Sequence, residues 1–295
     1  MAKNIAGVAR AAMLVDLHIC TYSGRKQDKE TQAEVTTAKG ANSKQAASVY
    51  KNLFSNCPEL TSITKFQSRV RIDHYRLTLP WSDNGSRLLP TAAMMDYTHM
   101  MGQHKIEFDN LVGAFVAKYD TLVAAAAFQL GTLFDRNDYL ASDKIANRFF
   151  MEMTYSPLPS SGDFRLDIEA EVQQDLINQY EARTQNLLAQ ASQDAWTRLH
   201  TVLSNLSDRL IIDEDGTKRV FHSSLVTNAE ELCDLLRLLN VTGDADLERA
   251  RKRLQDVLSG VTPKDLRDEL STRLDVKRQV DVMLENYDWG LDANE

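Results

Sequence analysis

The sequence predicts a mainly α-helical chain with small β elements, an α+β arrangement built around two very long helices. Three observations carry that prediction. Two amphipathic stretches, roughly 91–135 and 168–210, run with few breaks. Short alternating segments flank Asn84-Gly85 and Asp215-Gly216, pairs that favour tight hairpin turns. The remaining helical segments carry ordinary capping residues. With 295 residues and 43% hydrophobic content, the chain has material for two domains or one large elongated one.

From the N-terminus, Ile5, Val8, Ala11, Met13 and Leu14 read as a first helix running into a strand, without the cleavage site of a signal peptide. Val15–Thr21 alternates and reads as that strand. Polar residues from Ser23 to Ser43 predict a loop. Ala46–Phe54 and Leu60–Arg71 read as helices, and Tyr75–Trp81 with Arg87–Leu89 as a hairpin.

In the first long stretch Met94, Tyr97, Met101, Phe108, Leu111, Val112, Phe115, Tyr119, Leu122, Ala126, Leu130 and Leu133 share a face, with Thr91 as the expected N-cap. The small run Ala124–Ala127 would admit a closely packed partner helix. Tyr139–Phe149 reads as a short helix, and Glu152–Tyr155 and Phe164–Ile168 as strand segments. In the second long stretch the apolar stripe runs through Val172, Leu176 and Ile177, Tyr180, Thr184, Leu187, Ala191, Ala195, Leu199, Val202, Leu206 and Leu210. From Ile177 to Leu210 its mean step of about 3.7 residues is that of a straight helix, not of a heptad coiled coil. Some forty residues reach about 60 Å. The economical arrangement packs the two stripes together as an antiparallel arm; the alternative packs each into a neighbouring subunit. Leu210–Phe221 reads as a second hairpin, followed by helices at Asn228–Leu239, Asp246–Leu258 and Pro263–Tyr287, the last capped by Thr262. The expected domains are a basic α+β head (1–90), an acidic helical hairpin with a short insert (91–210), and a β-hairpin plus three-helix region (211–295).

The net charge of −8 is unevenly divided: +6 over 1–90, −7 over 91–210 and −7 over 211–295. A basic head on an acidic body suits head-to-tail self-association or contact with nucleic acid. The candidate contact residues are Arg25, Lys26, Lys65, Arg69, Arg71 and Arg76 in the head, with Arg249, Arg251, Lys252 and Arg253 on a C-terminal helix. For that last cluster, salt bridges within a solvated face are the competing reading. Met94, Met95, Met100 and Met101 are core packing or an adaptable docking surface.

The sequence has no P-loop, no dinucleotide fingerprint, no nucleophile elbow and no zincin motif. The six histidines are scattered, and Asp213–Gly216 lacks the later glutamate of a calcium loop. Cys20, Cys57 and Cys233 are too dispersed for a metal or redox pair and read as reduced thiols. No run of about twenty apolar residues predicts a membrane span. No cofactor, metal or catalytic residue is expected.

Several short stretches resemble a family of uncharacterised proteins of tailed bacteriophages: Tyr22–Lys26, Gly85–Pro90, Leu130–Phe134 with Asp138-Tyr139, Pro157–Pro159 with Asp163–Arg165, Phe221–Asn228 and Leu239–Thr242. That family has no activity to carry over. The resemblance implies a phage protein encoded near MoxR-type AAA+ ATPases and their von Willebrand-like partners. The expected function is a non-enzymatic assembly or adaptor protein of the host cytoplasm, a homo-oligomer or a ligand of such an ATPase. Nucleic-acid binding through the basic head is the alternative, and inhibition of a host protein by the acidic body is a third.

Overall fold

A computed structural model describes residues 8–43, 45–82, 85–158, 170–212 and 218–290. Of the described residues 68% are helical, with a small antiparallel sheet, the fold class expected. In order, its elements are β1 (Ala12–Cys20), β2 (Arg25–Gln27), α1 (Lys29–Ala38), β3 (Tyr50–Asn52), α2 (Pro58–Leu77), β4 (Leu79–Pro80), β5 (Arg87–Pro90), α3 (Met94–Leu130), β6 (Phe150–Pro157), α4 (Ala170–Leu210), α5 (Ser224–Leu239), α6 (Ala245–Leu258), α7 (Pro263–Asp268) and α8 (Leu270–Asn286). The main sheet has the order β4-β5-β1-β6, and β2 and β3 form a separate ribbon. Pairing is antiparallel, with Ala12 opposite Pro90, Leu79 opposite Leu88 and Lys26 opposite Lys51.

The chain forms two compact units interleaved in sequence. The first takes Met1–Asp16, Tyr75–Tyr97 and Thr154–Glu295, the second Leu17–His74 and Thr98–Met153. Helix α4 lies in the first unit and Thr98–Leu130 of α3 in the second, and each of these stripes packs on partners of its own unit. On α4 the buried stripe is Thr184, Leu188, Ala191, Ala195, Leu199, Leu203, Leu206 and Leu210, close to the expected one. It packs on α8 and α5, and α5 packs in turn on α6. On α3 the stripe Phe108, Phe115 and Tyr119 is buried. Phe54 packs edge-on against Phe115 at 5.8 Å and Tyr139 at 5.4 Å, and tilted against Tyr119 at 5.7 Å. Tyr139 Oη donates to the Leu53 carbonyl at 2.9 Å and Tyr119 Oη to that of Leu140 at 3.0 Å, so the buried phenols are satisfied.

Several local readings change. Lys29–Ala38, expected as loop, is helical, because Asp28 caps it by accepting the Thr31 amide at 3.1 Å. The segment expected as helix at 46–54 holds β3, whose ladder to β2 overrides its helical pattern. Helix α2 continues to Leu77, which leaves only Leu79–Pro80 of the first hairpin strand. Thr91 begins a 3-10 turn leading into α3, with Pro90 in the N-cap position of that turn. The helix expected at Tyr139–Phe149 shrinks to short turns around Ser142–Arg148. The last helix breaks at Glu269, where the backbone turns extended, although Thr262 and Asp265 form the capping box at its start. The Ile212–Lys218 bridge closes the second hairpin region. Its turn, Asp213–Gly216, lies outside the described residues, as do Asp83-Asn84 and the Phe164–Ile168 strand.

Two arginines close helix ends in the first unit. Arg273 is 1% exposed. Its guanidinium donates to the carbonyls of Arg209 (2.6 Å), Leu210 (3.1 Å), Ile211 (3.3 Å), Leu266 (3.2 Å) and Arg219 (3.2 Å). It thereby satisfies carbonyls that the C-terminus of α4 leaves open, and sits at the negative end of that helix's dipole. Burial pulls its pKa below the usual arginine value. Arg198 does the same for α2, donating to the carbonyls of Tyr75, Arg76 and Thr78 at 2.7–2.9 Å while its Nε meets Asp194 at 2.8 Å. Arg273→Ala leaves several buried carbonyls unsatisfied and opens a cavity. It should lower stability by about 3 kcal/mol, read as a drop in the urea midpoint at unchanged slope.

Candidate functional site

The second unit exposes two features that its own fold does not use. The first is the outer face of α3. Opposite the buried stripe lie Ile106, Asn110, Gly113, Ala117, Thr121, Ala124 and Phe128, spaced three or four residues apart. All seven are exposed and uncharged. Phe128 is 92% exposed and Ile106 66%. Between them the face is made of small side chains, with Ala114 and Ala125 alongside, and nothing lies within 4 Å of a Cβ placed on Gly113. Helix α3 with its flanking turns, Thr91–Leu133, is long and apolar enough to cross a membrane by length and composition, contrary to the sequence expectation, and 22% of its most apolar window is buried. The sequence conceals this because the apolar character comes from alanine and glycine on one face and aromatics on the other.

The second feature is a cleft of about 420 Å³ between the β2–β3 ribbon and the turns after α3. Gly24, between the lining residues Ser23 and Arg25, has φ +62°, and a Cβ there would stand 2.8 Å from a Leu60 methyl. The positive φ favours glycine, and any side chain would also displace that methyl. The Gly24 carbonyl accepts the Leu53 amide at 2.7 Å, which sets the ribbon's register. Arg25, Lys26 and Arg148 line the cleft together with Ser23, Asn137 and Asp138. Asp138 has 4% of its side chain exposed and sits between two ammonium groups. Lys26 Nζ is 2.5 Å from Oδ1; Lys51 makes a close ion pair with Oδ2 and also donates to the Leu133 carbonyl at 3.0 Å. Burial alone would raise the Asp138 pKa, but Lys26 and Lys51 outweigh it and hold the carboxyl below its ordinary value. Lys51 is raised in turn by Asp138. Burial pushes the neighbouring Tyr22 phenol up to about 12.

The ten basic residues singled out from the sequence are dispersed by the fold. Arg25 and Lys26 are joined in the cleft. Lys65, Arg69 and Arg71 lie on exposed α2, where Arg69 stacks on Phe66 and meets Glu107 at 3.7 Å. Arg76 belongs to the first unit and meets Glu231 at 4.0 Å. On α6 the cluster is internally paired, Arg249 with Asp246 and Lys252 with Glu248 at 3.6 Å. Arg251 is buried and bidentate to Glu248, at 2.8 and 2.9 Å, while Arg253 is exposed. Lys51, Asp138 and Arg148 were missed from the sequence, being brought to Lys26 only by the ribbon and the turns.

Among the described residues no group of three histidine, cysteine or carboxylate side chains is placed to hold a metal ion. His104 is buried, 2.9 Å from Asp73 and edge-on to Phe66, while His99 meets Gln103. A larger cleft, about 490 Å³, lies beside α5 and α6 and is rimmed by Glu230 and Asp234. The Cys233 thiol facing it is pushed up to about 11 by burial, so it stays protonated at neutral pH. The Met94–Met101 group divides, with Met101 buried and Met95 exposed.

Because its folded pKa is depressed, Asp138 contributes stability above the ordinary value of 3.8, and that contribution is lost as pH falls through the lower folded value. Asp138→Asn should cost about 1–2 kcal/mol at pH 7. The gap to wild type should narrow progressively when urea melts are repeated at pH values falling below 3.8.

No family model matches the chain, and neither a curated protein nor a solved structure matches it.

Proposed function

We propose that this chain is a non-enzymatic assembly protein that self-associates through the outer face of α3. The exposed line from Ile106 to Phe128 carries the reading. Ala117 stands eleven residues from each end of it, three helical turns either way. A two-fold axis at Ala117 therefore brings Ile106 of one copy onto Phe128 of the other, and Gly113 onto Thr121. Small residues in the middle let the two helix axes approach closely, at the short end of the usual 8–10 Å. The paired length is about 33 Å. The large end residues supply much of the apolar area, each phenylalanine contributing about 150–250 Å². A symmetric interface of this kind closes on itself as a dimer. The sequence's motifs add a further partner to the proposal: a MoxR-type AAA+ ATPase, for which such a dimer would be adaptor or substrate.

Light scattering over a concentration series should give a dimer whose mass falls toward the monomer on dilution. Phe128→Asp should weaken it by about a hundredfold, since two phenylalanines are lost per dimer at about 1.5 kcal/mol or more each. Its thermal melt should remain cooperative, because Phe128 is outside the core. A wild-type monomer at every concentration would end the proposal. The competing reading, nucleic-acid binding through the exposed Lys65, Arg69 and Arg71, predicts steeply salt-dependent binding that Phe128→Asp leaves untouched.

A further inference from the structure

We infer that the cleft between the β2–β3 ribbon and the turns after α3 binds a phosphate monoester. Three cations line it, Arg25, Lys26 and Arg148, against one carboxylate, Asp138, an excess of two positive charges. Asp138 is already committed to Lys26 and Lys51. The two guanidiniums are not so committed: neither Arg25 nor Arg148 has a carboxylate partner among the described residues, and both are exposed. Arg25 is steadied over the Tyr50 ring, 5.7 Å from its centre. Ser23 Oγ accepts the Arg25 amide at 3.3 Å, which leaves its own proton to donate.

A monoester carries about −1.5 to −2 charge at neutral pH and three strong acceptor oxygens. Guanidinium forks match that geometry, and a hydroxyl donor completes it. A lone carboxylate would leave one of the two excess charges uncompensated. Leu53, Leu140 and the Tyr22 ring supply an apolar wall in the same lining. A cleft of about 420 Å³ exceeds what a bare phosphate ion fills and is within the range of small-ligand pockets. The anion belongs against Arg25, Arg148 and Ser23, and the organic group of the ester against the apolar wall.

The test is calorimetric titration of the full chain with adenosine 5′-monophosphate as the monoester, with inorganic phosphate, adenosine and acetate as separate arms. The monoester should bind, inorganic phosphate more weakly, and adenosine and acetate should give no saturable heat. Arg148→Glu and Arg25→Glu should each weaken monoester binding at least tenfold, with unchanged melting profiles because both side chains are exposed. Arg71→Glu, an exposed charge reversal on α2, should leave it unchanged. Absence of heat with both phosphate probes would overturn the inference. So would undiminished binding by Arg148→Glu, or equal competition by acetate. The α3 variant Phe128→Asp should bind the monoester normally, so failure here is separate from failure of the dimer.

Discussion

A guanidinium with no carboxylate partner among the described residues holds the C-terminus of α4, the longest described helix. Arg273 reaches from α8 into the C-terminus of α4 and places its donors on the carbonyls of residues 209–211, 219 and 266. Taking a charge out of water is costly, and it is tolerated here because several backbone dipoles converge on it. The consequence is geometric. With its terminus fixed to α8, α4 presents one straight stripe, and the packing of α5 and then α6 follows from that stripe. Arg198, projecting from the same helix, fixes the end of α2 through the carbonyls of Tyr75, Arg76 and Thr78. The C-termini of α4 and α2 are thus held by arginines distant in sequence, while the N-termini of α1, α6 and α7 use the local caps Asp28, Asp244 and Thr262.

The second unit is built differently. Its centre is a group of rings, Phe54, Phe115, Tyr119, Tyr139 and Phe149, and its edge is the β2–β3 ribbon. Packing those rings on one side of α3 leaves the other side lined by alanine, glycine and threonine between two large apolar residues. Fixing Gly24 against Leu60 sets Arg25 and Lys26 beside the turn that carries Asp138. The ring core and the glycine turn thereby generate both surfaces on which the proposed functions rest.

Much of the helical part was legible in the sequence. The α4 stripe from Thr184 to Leu210 follows the helical period, and Asp244, Thr262 and the break before Pro263 are local signals. What failed depended on distant partners. Tyr50–Asn52 has a helical neighbourhood and becomes a strand because Arg25–Gln27 is there to pair with it. The interleaving of the units leaves no mark on a linear pattern, since α2, α3, β1 and β6 each divide between them. The mutual packing of the two long helices was the simplest way to cover two stripes, but closer aromatic and aliphatic partners cover both. The cleft was half legible: Arg25 and Lys26 stood out as charges, whereas Arg148 and Lys51 join them only through the fold. The line Ile106–Ala117–Phe128 was legible in principle, as an apolar repeat on the face opposite the core stripe. The run of small residues at 124–127 hinted at it.

Cysteine cross-linking reads the proposed pairing of α3 with its own copy about Ala117 directly, in a Cys20→Ser background that leaves only the buried Cys57 and Cys233. Under mild oxidation Ala117→Cys should link rapidly to its own copy, because a two-fold axis there places the residue opposite itself. Ile106→Cys should not link to itself, yet should link to Phe128→Cys when the two variants are mixed. Self-linking at Ile106 as fast as at Ala117, or no linked dimer at Ala117, would contradict the pairing.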